Sequence, residues 1–244
     1  MNGKRLLIDA GNTRLKWALV DGTSWCEQGS ALYSDLSALA DVLDAGLCCY
    51  IASVAGVQRE NQIKTLFEAA AIAPTWLAAA AQFSDIRNGY EKPQQLGVDR
   101  WMGLVGARQR TREAVLVVSA GTALTVDALS ADGMFLGGLI VPGYVLMRQA
   151  LAQGTARVDA GDGHSQAFPR TTADAVESGI VAALCGAIAR QHAHLAAMAG
   201  TVPPCLLTGG DAEKLLPHLP IAVQHMPALV LEGIDCVGRE GASA

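Results

Sequence analysis

Apolar residues fall along the chain in short runs that switch between strand spacing and helix spacing. A run over 4–9 with charged ends predicts a strand, 15–21 predicts a second and 25–32 a weaker third. The first two are joined by Ala10-Gly11-Asn12-Thr13-Arg14, a turn-forming sequence. Leu36, Leu39, Val42 and Leu43 recur at helical spacing, which predicts a helix over 34–45 with Ser34 as its N-cap. The near-continuous apolar run 47–54 suits an interior parallel strand, and a helix follows over 61–71. Residues 81–97 are the least regular, with Asn88-Gly89 and Pro93 as turn signals, and lead into a helix over 99–110. A second set of strands is predicted over 114–118, 122–129 and 134–141, the last after a turn at Asp132-Gly133. The Ala-rich stretch 172–199 reads as the longest helix. A strand over 205–208 ends in Gly209-Gly210-Asp211, and a final helix covers 228–238. Strands alternating with helices define the α/β class.

The pattern also repeats. RLLIDAGNTRLKWALVDG and VLVVSAGTALTVDALSADG each hold an apolar strand, a small polar residue, Ala-Gly, then Asn or Thr, then a second strand ending near Asp-Gly. A constant offset of 110 pairs Asp9 with Ser119, Gly11 with Gly121 and Asn12 with Thr122. Two copies in register imply two similar domains facing one cleft, over 1–113 and 114–244.

The turn in each copy suits phosphate. A hairpin tip exposes backbone N–H groups, and Gly11 has no Cβ to block a ligand. Asn12 and Thr13 add donors, and Lys16 adds positive charge for phosphate oxygens. Asp9, at the end of its strand, can hold Mg²⁺ through water. An ordinary hairpin closed by Gly-Asn would look the same locally. The second copy at 119–122 and the Gly-Gly at 209–210 favour the phosphate reading. Neither GxxxxGK[ST] nor GxGxxG occurs, so other nucleotide folds lack their own signature.

Composition narrows the partners. A net charge of −5, a pI near 5.5 and no run of Lys or Arg longer than two exclude a broad electrostatic grip on nucleic acid. Six cysteines without a CxxC pair read as free thiols of a reducing compartment, with Cys48-Cys49, Cys185 and Cys205 expected inside. The five histidines form no metal-ligand spacing, since His192 and His194 stand two apart on a helix. The apolar part of the N-terminus is too short for a signal peptide. No stretch is expected to reach the roughly 20 apolar residues that span a bilayer. A cytoplasmic protein without membrane or nucleic-acid partners is therefore expected.

Two phosphate loops with a later Gly-Gly resemble the superfamily of acetate and sugar kinases, Hsp70 and actin. More closely, nearly the whole chain resembles the type III pantothenate kinases of coenzyme A biosynthesis. The landmarks are Asp9-Ala10-Gly11-Asn12-Thr13-Arg14-Leu15-Lys16, Asn88-Gly89-Tyr90, Gly97-Val98-Asp99-Arg100-Trp101, Ala120-Gly121-Thr122, Gly137-Gly138 with Pro142-Gly143, Thr172-Ala173-Asp174-Ala175, and Gly209-Gly210. The resemblance implies two similar ribonuclease H-like domains of the actin-like ATPase superfamily around a nucleotide cleft. It implies the reaction of ATP with pantothenate to give ADP and 4′-phosphopantothenate, the first step of coenzyme A biosynthesis.

The resemblance also assigns residues. Asp9, Ala10, Gly11, Asn12, Thr13, Arg14, Leu15, Lys16 and Thr122 would bind ATP with Mg²⁺, and Gly209-Gly210 would let adenine pack on the main chain. Asp99 would be the proton acceptor. Tyr90, Gly97, Val98, Asp99, Arg100 and Thr172 would bind pantothenate, with Thr172 supplied by the partner subunit of a homodimer and the helix over 172–199 as its dimer surface. Without the family, Asp99 reads as a helix cap, Arg100 as a surface ion pair and Tyr90 as a loop anchor. Thr172 reads as an N-cap that competes with Thr171. One departure stands out: the second loop of the family usually opens with an aspartate that binds a monovalent cation, and here that position is Ser119. Asp127 is too distant along the sequence to be assigned as its replacement. Dependence on K⁺ or NH₄⁺ is therefore expected to be weakened or altered. The alternatives are a non-catalytic, transcription-accessory regulator on the same fold and a kinase of another small alcohol. Lys16 and Asp99 together favour the enzyme.

Overall fold

A computed structural model describes residues 3–154 and 162–241. In chain order the first half contains β1 (Arg5–Ala10), β2 (Arg14–Asp21), β3 (Ser24–Leu32), α1 (Ser37–Ala40), β4 (Cys48–Ser53), α2 (Val57–Ala69), β5 (Thr75–Trp76), β6 (Gln82–Phe83), β7 (Ile86–Asn88) and α3 (Val98–Arg110). The second contains β8 (Val115–Ala120), β9 (Ala123–Leu129), β10 (Met134–Pro142), α4 (Tyr144–Gly154), α5 (Thr172–Ala199), β11 (Cys205–Thr208), α6 (Ala212–Leu215), β12 (Gln224–His225) and α7 (Leu229–Gly241). The chain divides into two compact units, Met1–Arg110 with Ala228–Ala244, and Thr111–Pro227.

The first unit carries a five-stranded sheet in the order β3-β2-β1-β4-β5. β1 runs antiparallel to β2 and parallel to β4. Leu6, Ile8 and Ala10 of β1 face a core with Leu15, Trp17, Leu39, Ile51, Ile63 and Phe67. Strand alternation turns Leu7 and Asp9 to the opposite face. α7 packs on β1 and β4, and against α3. The helices cross at glycines: a Cβ at Gly233 would lie 1.9 Å from the carbonyl oxygen of Met102, and one at Gly106 would lie 2.3 Å from that of Leu229. Buried Arg5 and Asp235 join the ends of the chain, with Nε and Nη2 of Arg5 donating to Oδ1 of Asp235 at 3.0 and 2.8 Å. Losing Asp235 would leave the buried Arg5 charge without its carboxylate, a change that costs about 3–5 kcal/mol; Arg239 also reaches Oδ2 of Asp235, at 3.1 Å. A single boundary between 113 and 114 groups α7 with the second half of the chain, whereas these contacts bind it to the first unit.

The second unit repeats the plan. Its strands run in the order β10-β9-β8-β11-β12, with β8 antiparallel to β9 and parallel to β11. Asp9 and Ser119 each occupy the next-to-last position of the matching strand. The hairpins differ by one residue: Ala10 pairs with Leu15 in the first, and Ala120 with Leu124 in the second. α5 covers the second sheet through Ile180, Val181, Leu184, Ile188 and Leu195.

Several expectations change. The helix over 34–45 shrinks to α1; its N-cap position is Leu36, not Ser34, and Oδ1 of Asp35 accepts from the backbone N–H of Ser37 at 3.0 Å. α2 starts at Val57, four residues before the expected 61, since its first turn is polar and carries no apolar period. α4 lacks a clean signal because Tyr144 is its only buried residue. Cys48 is exposed, at the start of its strand, while Cys49, Cys185 and Cys205 are buried as expected, and all six thiols are free. The expectation that no segment could span a bilayer does not hold: by length and composition α5 qualifies. His192 is buried, with Nε2 2.8 Å from the carbonyl oxygen of Pro203.

Candidate active site

The β1–β2 hairpin places Asp9 opposite Lys16, so both side chains stand on one face of the sheet. That face is the one turned from the core cluster. Asn12, Thr13 and Arg14 at the tip are exposed. Burial pushes the Asp9 carboxyl up to about 7; the negative charge of Asp99 adds to the rise, and Lys16 opposes it. The structure thus couples Asp9, Lys16 and Asp99, which are separated by up to 90 positions in the chain.

Asp99 lies in the first turn of α3. Burial raises its carboxyl, while the backbone N–H of Arg100 and the Arg100 charge pull it back down. It therefore takes some of the capping role read from sequence without losing its basicity. Gly97 leaves room beside it: a Cβ there would sit 2.6 Å from Oδ1 of Asp99, so the carboxylate would have to move. Val98 is buried. Arg100 is buried too, and is no surface ion pair: its Nη1 donates to the Tyr90 hydroxyl at 2.9 Å, and its guanidinium lies 5.7 Å from that ring's centroid. Tyr90 is held by Asn88, whose Oδ1 accepts from the Tyr90 N–H at 3.1 Å. Nδ2 of Asn88 donates to the carbonyls of Ala80 and Pro93 at 3.1 and 3.2 Å, closing the irregular loop around it.

In the second unit, Ser119, next to last in β8, stands opposite Thr125 of β9 and Thr208 of β11. Strand alternation puts Asp127 on the same face as Thr125, where it is buried. The Thr122 turn is braced by glycines. Gly143 donates its N–H to the Thr122 carbonyl at 2.9 Å, and a Cβ on Gly143 would fall 2.0 Å from the Gly121 oxygen. Gly209, at φ +102°, lies against Ala120 so closely that a Cβ would meet its oxygen at 2.1 Å. Thr171, not Thr172, caps α5: its hydroxyl accepts from the Asp174 N–H at 3.1 Å. The Thr172 side chain is left exposed at the helix start.

The family follows from comparison with known proteins. Residues 5–194 match the model of a family described as type III pantothenate kinase. The chain is 58% identical over 241 residues to the type III pantothenate kinase of Thiobacillus denitrificans, covering 99% of both chains. It is 44% identical over 242 residues to that of Aromatoleum aromaticum, covering 98% of this chain and 99% of the other. The chain belongs to the type III pantothenate kinase family. It is an enzyme that phosphorylates pantothenate with ATP in coenzyme A biosynthesis.

Solved structures give this pantothenate kinase its fold relatives. A Campylobacter jejuni protein assigned to the Baf family of transcriptional activators superposes with a TM-score of 0.61 at 20% identity, covering 98% of this chain and 100% of that one. A protein described as a 2-dehydro-3-deoxygalactonokinase from Sinorhizobium meliloti gives 0.54 at 16% identity, covering 97% and 98%. Such likenesses speak for the fold: two mixed-sheet α/β units of the sugar kinase and actin-like class.

The kinase uses ATP with a divalent metal. No cluster of three or more His, Cys, Asp or Glu side chains occurs among the described residues. Mg²⁺ on a nucleotide takes one or two carboxylates and keeps its other contacts to phosphate and water. Asp9 has the right chemistry, a buried carboxylate with Lys16 beside it. Sequence reading missed Tyr33, whose hydroxyl donates to the Gly11 carbonyl at 2.7 Å. No motif marks it, but its place one residue past β3, beside the hairpin, is the available signal.

Proposed function

We propose that in this pantothenate kinase the 9–16 turn grips the ATP phosphates and Asp99 takes the proton of the pantothenate hydroxyl. The observation that carries this reading is the hairpin register that sets Asp9 opposite Lys16, beside an exposed Asn12–Thr13 tip. A raised carboxyl is a stronger base than an ordinary aspartate and suits proton removal near neutral pH. Asn12, Thr13 and the backbone of Gly11 donate to phosphate oxygens, and Lys16 supplies charge where it builds up in transfer. Mg²⁺, when bound with ATP, neutralises phosphate charge, and Asp9 is the residue suited to hold it. Ala10, Arg14 and Leu15 complete the turn, with Leu15 buried beneath it. Thr122 contacts phosphate from the second loop.

Pantothenate binds through Arg100, Tyr90 and the 97–99 backbone. Arg100 offers a planar fork for the substrate carboxylate, held in place by Tyr90. Thr172 joins from the partner subunit of a homodimer, with α5 as the shared surface. Exposed Ala175, Gly179, Ala182 and Gly186 on α5 would let a second helix approach closely. Each repeated unit serves as one actin-like ATPase domain. With Ser119 in place of a carboxylate, the site binds a monovalent cation weakly, so K⁺ or NH₄⁺ activates little. The enzyme works in the cytoplasm, without nucleic-acid or membrane partners.

A coupled ADP-release assay with pantothenate tests the central assignment. Asp99→Asn should lose roughly 10²–10⁴-fold in kcat while still binding a fluorescent ATP analogue. Full activity in that variant would remove Asp99 from the base role.

A further inference from the structure

We propose that Tyr33 is a positioning residue for the phosphate turn: its hydroxyl fixes the Gly11–Asn12 peptide so that the Asn12 N–H faces the ATP phosphates. The inference rests on the reading of 9–16 as the phosphate grip. β3 pairs with β2 so that Leu32 stands opposite Arg14, and the next residue emerges beside the hairpin tip. That residue is Tyr33, which donates to the Gly11 oxygen at 2.7 Å.

A trans peptide is planar, and its C=O and N–H point in opposite directions. Drawing the Gly11 carbonyl toward Tyr33 therefore turns the Asn12 N–H to the other side of the chain. Without that anchor the peptide would be easy to rotate, because Gly11 places little steric limit on its own φ and ψ. The phenol is in turn held. The Arg59 guanidinium lies 5.3 Å from the ring centroid, and Nη1 of Arg59 reaches the Ala55 carbonyl at 3.5 Å. Tyr33 also borders a cavity of about 560 Å³ with Gly56, Arg59 and Gln62, so packing alone does not fix the ring. Burial pushes the hydroxyl up to about 12 against the pull of Arg59, so it remains a donor at every working pH.

The test is steady-state kinetics with each substrate varied in turn, on wild type, Tyr33→Phe, Arg59→Gln, the double variant, and Lys16→Met as a probe of the grip itself. Tyr33→Phe should raise the KM for ATP roughly three- to tenfold, the loss of one hydrogen bond, and leave the KM for pantothenate little changed. Arg59→Gln should give a smaller ATP-selective rise that vanishes in the Tyr33→Phe background, as expected of residues acting in series. If Tyr33→Phe does not fold, the ATP-selective rise in Arg59→Gln decides alone. A rise in Lys16→Met with none in Tyr33→Phe overturns the inference and leaves the phosphate grip standing. No rise in Lys16→Met overturns both. Equal rises for the two substrates in Tyr33→Phe mean general loosening, and overturn the positioning role.

Discussion

Arg100 and Tyr90 hold each other twice: Nη1 donates to the phenol oxygen at 2.9 Å, and the guanidinium lies 5.7 Å from the centroid of the same ring. The two contacts separate by mutation. Tyr90→Phe keeps the ring and loses the hydrogen bond, so the KM for pantothenate should rise roughly fivefold, about 1 kcal/mol. Tyr90→Ala loses both contacts and should cost more. A Tyr90→Phe enzyme with unchanged pantothenate kinetics would show that the hydroxyl does not set Arg100.

Gly97 leaves room for the Asp99 carboxylate. A methyl group there would meet Oδ1 at 2.6 Å, so Gly97→Ala must displace the Asp99 carboxylate or the loop. The expected result is a fall in kcat of about 10–100-fold, the effect of misplacing a reacting group by an ångström or so, with nucleotide binding kept. Single-turnover kinetics and a binding titration distinguish the two. Loss of nucleotide binding instead would place Gly97 in another role.

Asp9 gives stability a defined pH slope. Its carboxyl rises from an ordinary 3.8 to about 7, mainly through burial. Below the lower value both folded and unfolded chains hold the proton. Between the two the folded chain holds it and the unfolded chain does not, so stability falls as pH rises, and the loss is complete above about 7. Asp99, raised in the same direction, adds to the slope. Asp9→Asn should therefore melt higher than wild type at pH 8 and match it near pH 3.5. The activity trend runs the other way, since binding Mg²⁺ needs the ionised carboxylate: kcat/KM for ATP should climb through pH 7. Melting curves of the two proteins that stay parallel from pH 3.5 to 8 would contradict this account.

Ser119 is the neutral member of a pair whose other member is Asp9. Wild type should be little activated when Na⁺ is exchanged for K⁺ or NH₄⁺, and Ser119→Asp should gain activation. Assays in matched chloride buffers read both. Strong K⁺ activation of the wild type would sink the idea.

Thr172 tests whether the site is shared. Its hydroxyl is released from capping because Thr171 takes that bond. Thr172→Ala and Asp99→Asn should each be weak. Mixed and allowed to exchange subunits, they should recover activity, because one site of the mixed dimer has both native residues. Sedimentation of a monomer at assay concentration, or no recovery, would argue against partner supply.

Much of this protein was legible in order along the chain. Strand and helix periods, the Gly-Asn turn and the echo at Ser119–Thr122 depend on near neighbours, and the matched sheet orders of the two units follow the echo. The β1–β2 hairpin could be read because a strand end, a glycine and a second apolar run lie close together in the chain. Other features depend on residues far apart. Arg5 meets Asp235 across 230 positions, and α7 returns to the first unit because two glycines let helices touch. Tyr33 reaches Gly11 only through strand pairing, and the charge of Asp99 acts on buried Asp9 only because the fold brings α3 near the end of β1. Local sequence sets backbone preference and turn chemistry. Which distant side chains are desolvated together is decided by packing, and that decision buried a carboxylate at a strand end within reach of the charge of another at a helix start.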